Sequence, residues 1–282
     1  LYSGQLAEAG SVKAKRGGKS ARSDWMTMEQ DRGISIASTV LQFNYEGTIL
    51  NLLDTPGHRD FSEDTYRVLS AVDAAIMVLD AAKGIEAQTL KLFEVCRARN
   101  MPIITFINKW DRPSLDPLEL MDQIEQAIGI QTTPMTWPVG PGGEFEGVIN
   151  THTKQFIRYT RTSRGATEAI EEILNPNEIS QAESAYLQNA LEEVELLDQI
   201  GATHDQELFL AGETSPLFVG SALTNFGVRH LLDAVVDFAP SPSKRETDDG
   251  TLRDIDSPFS AFVFKVQANM DPSHRDRVAF MR

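Results

Sequence analysis

Apolar and polar positions change period several times along the 282 residues, and those changes divide the chain. Residues 10–24 are rich in glycine, serine and lysine with no apolar period, which predicts a loop. Apolar runs of strand length follow at Val40–Tyr45, Ile49–Asp54, Ala74–Asp80, Pro102–Asn108 and Pro216–Gly220. Helical patterns fall between them at 60–72, 86–99, 116–128 and 227–238. The runs AAIMVLD and PIITFIN are apolar at nearly every position, as strands covered on both faces are. Alternation of such strands with helices predicts an α/β fold, a mostly parallel sheet with helices on both faces.

The stretch 135–215 interrupts this rhythm and reads as an insertion before the last strand. Within it Glu146–Thr160 predicts a hairpin, and an acidic helix is expected over 177–200. Pro240, Pro242 and a polar run to Ser257 predict a linker. Phe259–Val266 then alternates as a half-buried strand. The expected organisation is one domain over 1–240, a linker over 241–256, and the start of a β-barrel domain over 257–282.

Composition narrows the function classes. With 41% hydrophobic and 24% charged residues the chain fits a soluble globular protein, and no apolar run has membrane-helix length. The single cysteine, Cys96, excludes an internal disulfide and lies beside Leu92 and Phe93, which makes it a core thiol. A cytoplasmic location follows as the expectation. The net charge of -15 is uneven: residues 168–213 carry twelve acidic side chains and no lysine or arginine. Overall acidity argues against a general nucleic-acid binder, DNA included, while Lys13, Lys15, Arg16, Lys19 and Arg22 offer a local basic patch. Glu192, Glu193, Glu195 and Asp198 read as a solvated helix face. His152, His204 and His230 have no companions at metal-ligand spacing. Arg275, Arg277 and Arg282 are expected to meet RNA or to cap a strand.

Three motifs sit at the carboxyl ends of predicted strands, where an α/β sheet places its ligands. The first is DTPGH, Asp54 to His58. An acid there holds Mg²⁺ through water, and Gly57 lets a backbone N–H approach a terminal phosphate. His58 is placed to orient or polarise an attacking water. The same string alone also reads as a Pro-Gly turn with a solvated histidine. The second is NKWD, Asn108 to Asp111. Guanine offers N1–H and a 2-amino group as adjacent donors, and the Asp111 carboxylate accepts both as a fork. Asn108 suits the N7/O6 side and braces neighbouring loops, while the Lys109 stem covers the base. The third is GSAL, Gly220 to Leu223, where the backbone N–H of Ala222 suits guanine O6. Order and spacing make the set specific. Upstream, RGISI places Ser35 as a switch-loop hydroxyl for Mg²⁺. Gly18-Lys19-Ser20 is not a phosphate loop, because the required first glycine would be Lys13 and no strand precedes it.

RGISI, DTPGH with RDFSEDTYR, NKWDR and GSALTNFGV together resemble the translational GTPases, across essentially the whole chain. The longer strings SDWMTMEQDRGISI, MTWPVG, ELFLAGETSPLFVGSAL and FVFKVQANMDPSHRDRVAFMR resemble the release factor three branch of that family. The resemblance implies GTP hydrolysis on the ribosome and recycling of class I release factors. It implies Asp54, Thr55, Pro56, Gly57 and His58 on the phosphate side, with His58 catalytic. It assigns Asn108, Lys109, Trp110 and Asp111, with Ser221, Ala222 and Leu223, to guanine. Ser35, and Asp54 through water, are the implied Mg²⁺ contacts, and Trp110 is expected to pack rather than touch the base. The family also places a strand, a phosphate loop and a helix ahead of Leu1, so weak GTP binding is expected of this stretch alone. An elongation factor G-like translocase and a nucleotide-free ribosome-binding scaffold are the alternatives.

Overall fold

The computed structural model describes residues 38–55, 62–160, 169–180, 184–247, 249–268 and 276–282. The basic patch, the 10–24 loop and Arg275 lie outside them. Two strands open the described part, β1 (Thr39–Tyr45) and β2 (Thr48–Asp54), paired antiparallel. Glu46 and Gly47 join them with φ of 46° and 77°, the two left-handed residues of a tight hairpin turn that matches strand twist. Helix α1 (Ser62–Leu69) follows.

The central sheet is parallel in the order β3 (Ala75–Asp80), β4 (Ile103–Asn108), β10 (Thr214–Val219) and β5 (Gln131–Pro134). Its two faces carry separate cores. Ile103 and Ile107 pack with Phe93 and Cys96 of α2 (Ala87–Ala98) and Leu120 and Ile124 of α3 (Pro117–Ile128). Ile104, Phe106 and Phe218 pack with Phe209 of α5 (Gln206–Leu210) and Leu231 and Ala234 of α6 (Val228–Phe238). Helix α3 starts where the sequence dictates: Asp116 caps the Leu118 and Glu119 N–H groups, and Pro117 follows it. Such a cap stabilises a helix by about 1 kcal/mol. Cys96 is buried, and burial pushes its thiol up to about 11.

Between β5 and β10 lies a second, antiparallel sheet ordered β6 (Thr136–Val139), β7 (Gly147–Asn150), β8 (Phe156–Thr160) and β9 (Ile170–Leu174). The expected acidic helix is shorter than its pattern. A 3-10 turn at Pro176–Glu178 precedes α4 (Leu187–Gln199). Glu192, Glu195 and Asp198 are exposed as expected, but Glu193 points inward and accepts a hydrogen bond from the Trp137 indole at 2.7 Å. Burial, with the Asp116 charge, holds its carboxyl above the usual range despite that bond.

Small strands β11 (Arg245–Glu246) and β12 (Leu252–Arg253) follow, then the antiparallel pair β13 (Val263–Ala268) and β14 (Arg277–Met281). The apolar alternation suggested a strand from Phe259, but pairing begins only where Phe262 and Arg282 exchange backbone hydrogen bonds, and Phe259 stays exposed. Arg282 is not an RNA-facing cation here: its guanidinium donates to Asp73 and to the Ala71 carbonyl. Among the described residues, no helix is long and apolar enough to cross a membrane.

Candidate functional site

Parallel pairing brings three strand ends together. Asp80 closes β3 opposite Asn108 of β4, and Val219 of β10 pairs with Ile107. Main-chain groups leaving those ends are tied to one another: Ala81 N–H donates to Asn108 O, and Trp110 N–H to Gly220 O. The chain can pass so closely at Gly220 only without a side chain, since a Cβ there would lie 2.1 Å from Phe226 O.

Asn108 Oδ1 accepts from the backbone N–H of Lys109 at 2.8 Å and of Ala222 at 2.9 Å. One amide oxygen thus bridges both loops and leaves the amide nitrogen for other partners. Lys109 is left-handed, with φ of 72°. Its ammonium is anchored 2.5 Å from Asp80 Oδ2, which lays the aliphatic stem along the strand ends. Burial raises the Asp80 carboxyl, but the hydrogen bonds from Lys109 and Ala82 and the nearby lysine charges outweigh it and leave it below the ordinary carboxylate range.

Trp110 is wholly buried, as expected for a packing residue, and its indole N–H donates to Gly140 O at 3.2 Å. Asp111 is held from the opposite loop: the buried Ser221 hydroxyl donates to its Oδ1 at 2.6 Å. Its Oδ2 lies 3.6 Å from the exposed Arg112 guanidinium. The carboxylate is therefore oriented by a fixed hydroxyl, and Leu223, two residues past Ser221, is exposed.

Asp54 and Thr55 lie half-buried at the end of β2. Ser35, Pro56, Gly57 and His58 lie outside the described residues. Among the described residues, no group of three or more histidine, cysteine or acidic side chains is placed to hold a metal. Sequence reasoning missed Asp80 as the anchor of Lys109, although both end adjacent apolar runs. The Ala222 N–H, expected to face guanine O6, also donates to Asn108 Oδ1, a link that sequence reasoning did not specify.

The elongation factor Tu GTP-binding domain model matches residues 1–241. The chain belongs to this family. Among its relatives are peptide chain release factor 3 of Synechocystis sp., 53% identical over 286 residues, and of Listeria innocua, 51% identical over 283 residues. Each alignment takes in 100% of this chain but 52% and 54% of the relative, so the chain spans about half their length. A solved structure from Thermus thermophilus superposes with a TM-score of 0.69 at 25% identity, covering 92% of this chain and 39% of that one.

Proposed function

We propose that this family member supplies the guanine-nucleotide domain of a GTP-hydrolysing translation termination factor, one that works on the ribosome and promotes recycling of class I release factors. The Asp111 carboxylate, held by Ser221 at 2.6 Å beside the Asn108–Ala222 bridge, is the observation that carries the nucleotide reading. Its fork matches guanine N1–H and the 2-amino group and repels adenine, which presents no such pair of donors. Asn108 offers its amide nitrogen to N7 and O6, and the Lys109 stem covers the base. Ala222 shares its N–H between Asn108 and guanine O6. The length and level of identity to release factor 3 proteins support the termination role.

On the phosphate side we assign Asp54, Thr55, Pro56, Gly57 and His58, with His58 orienting the attacking water. A single half-buried carboxylate at a strand end fits Mg²⁺, which takes most of its ligands from water and phosphate oxygens. Ser35 directly, and Asp54 through water, would hold it, and the ion would offset charge on the phosphates.

The test uses the full-length protein with ribosomes. Hydrolysis of GTP should rise on ribosome addition and track dissociation of a class I release factor rather than tRNA movement. Asp111→Asn turns an acceptor into a donor. GTP affinity should then fall by roughly 100-fold or more, because two charge-assisted hydrogen bonds of about 1.5–3 kcal/mol each are lost. Xanthosine triphosphate, with an oxo group at position 2, should replace it as substrate. Unchanged GTP preference in this variant would overturn the guanine reading.

A further inference from the structure

The segment that follows β4 does not hold its shape alone. It is pressed against the loop joining β6 to β7, residues 140–146, which belongs to the inserted antiparallel sheet. Three hydrogen bonds cross this seam. Trp110 Nε1 donates to Gly140 O at 3.2 Å, Gly143 N to Trp110 O at 3.0 Å, and Gly142 N to Ser114 Oγ at 3.2 Å. Contact at Gly142 is closer than any side chain permits, since a Cβ there would lie 2.3 Å from both Arg112 O and Ser114 Oγ. The loop is itself fixed. Glu146 N–H donates to Val139 O at 2.9 Å, and the Tyr186 hydroxyl at the start of α4 donates to the Glu144 carboxylate.

The seam flanks the residue that matters most. Lys109, Trp110 and Asp111 are consecutive, and Lys109 is held in the left-handed region. Asp111 has one orienting partner on the far side, Ser221. Its near side is set by the backbone of Trp110, pinned at N–H by Gly220 and at both O and the indole by the inserted loop.

We propose that the loop between β6 and β7 positions the guanine-reading carboxylate, with Trp110 as the positioning residue through which it acts. The inference rests on the guanine reading above and adds that base discrimination depends on the inserted sheet. Trp110 touches no base in this account; it fixes the angle at which Asp111 meets one.

The 2-amino group separates positioning from mere stability. Inosine diphosphate lacks that group but shares every other feature of GDP, so the ratio of their dissociation constants reads the Asp111 fork alone. In the full-length protein, Trp110→Phe removes only the indole donor and some area. The GDP-over-IDP preference should fall by roughly three- to tenfold, the weight of one hydrogen bond. Gly142→Ala attacks the same seam from the other side and should act in the same direction. Tyr45→Phe, which also loses a side-chain hydrogen bond but to Asp233 of α6 and not at this seam, should leave the ratio unchanged. Should Gly142→Ala fail to fold, Trp110→Phe decides alone. Parallel losses for GDP and IDP would make Trp110 a stability residue and overturn the inference, as would an unchanged ratio. Asp111→Asn keeps the two ideas apart: if it alone shifts base preference, the guanine reading stands and the positioning role falls.

Discussion

At the scale of single residues the candidate site is an exercise in orienting one carboxylate. A free aspartate turns about two bonds, and only a narrow range of those torsions presents both oxygens to a flat base edge. The Ser221 hydroxyl narrows that range by occupying Oδ1 from a position with no solvent exposure, and it accepts a longer bond from Thr224 N–H at 3.4 Å. Ser221→Ala removes the donor and leaves a methyl group in its place. GDP affinity should drop about tenfold, in line with about 1.5 kcal/mol for a hydrogen bond to a charged group. Isothermal titration checks this, and equal affinities for the two proteins would mean that Asp111 needs no such orienter. The residue types were legible in NKWD and GSAL. Their pairings were not, because Ser221 and Asp111 meet only once β4 and β10 lie side by side in register.

At the scale of elements, legibility followed burial pattern. Strands β3 and β4 announced themselves through unbroken apolar runs, and α3 through Asp116 and Pro117 ahead of its periodic face. Strand β5 did not, since QTTP reads as polar. Its Thr132 is buried because Glu125 accepts from both its N–H at 2.9 Å and its hydroxyl at 2.7 Å, a pairing no local pattern reveals. Helix α4 begins at Leu187 rather than at 177, because acidic composition continues through a turn fixed by Pro176. Helix α6 supports a prediction of its own. Tyr45 of β1 donates to its Asp233 at 2.6 Å, and Arg229 lies 3.7 Å from Glu171 of β9. Beside these, burial pulls the His230 imidazole below its ordinary 6.5, helped by Arg229 and opposed by Asp233. As pH falls below 6.5 the unfolded chain gains a proton that folded His230 refuses, so stability declines until the lower folded value is reached. The slope contributed is at most about 1.4 kcal/mol per pH unit. His230→Leu should flatten that part of the stability curve, measured by urea unfolding above and below pH 6.5. Identical slopes for both proteins would show that His230 titrates alike folded and unfolded.

At the scale of the whole molecule, one carboxylate gathers several of the contacts between the sheet-bearing part and the strands after it. Asp73 sits in the turn between α1 and β3. Arg282, beside β14, meets it with two nitrogens at 2.8 and 2.5 Å, Arg245 of β11 approaches to 3.5 Å, and Ser243 N–H donates at 3.4 Å. Arg245 also donates to Val72 O and Arg282 to Ala71 O, so both cations grip the same turn. Burial, with the Arg282 and Arg99 charges, presses Arg245 below its usual range, against the pull of Asp73. Removing that carboxylate therefore does more than lose a bond: it leaves two guanidiniums facing each other in a partly buried space. Asp73→Ala should cost about 2 kcal/mol and loosen β11 and β14 together. The Lys244–Asp254 pair is the internal comparison, since both side chains are about half exposed and such pairs contribute little. Asp254→Ala should leave thermal unfolding unchanged, while Asp73→Ala should lower the midpoint and speed tryptic cleavage after Arg245 and Arg253. If both variants resist trypsin as the parent does, the two parts are held by contacts other than this clamp, and Asp73 is an ordinary surface acid.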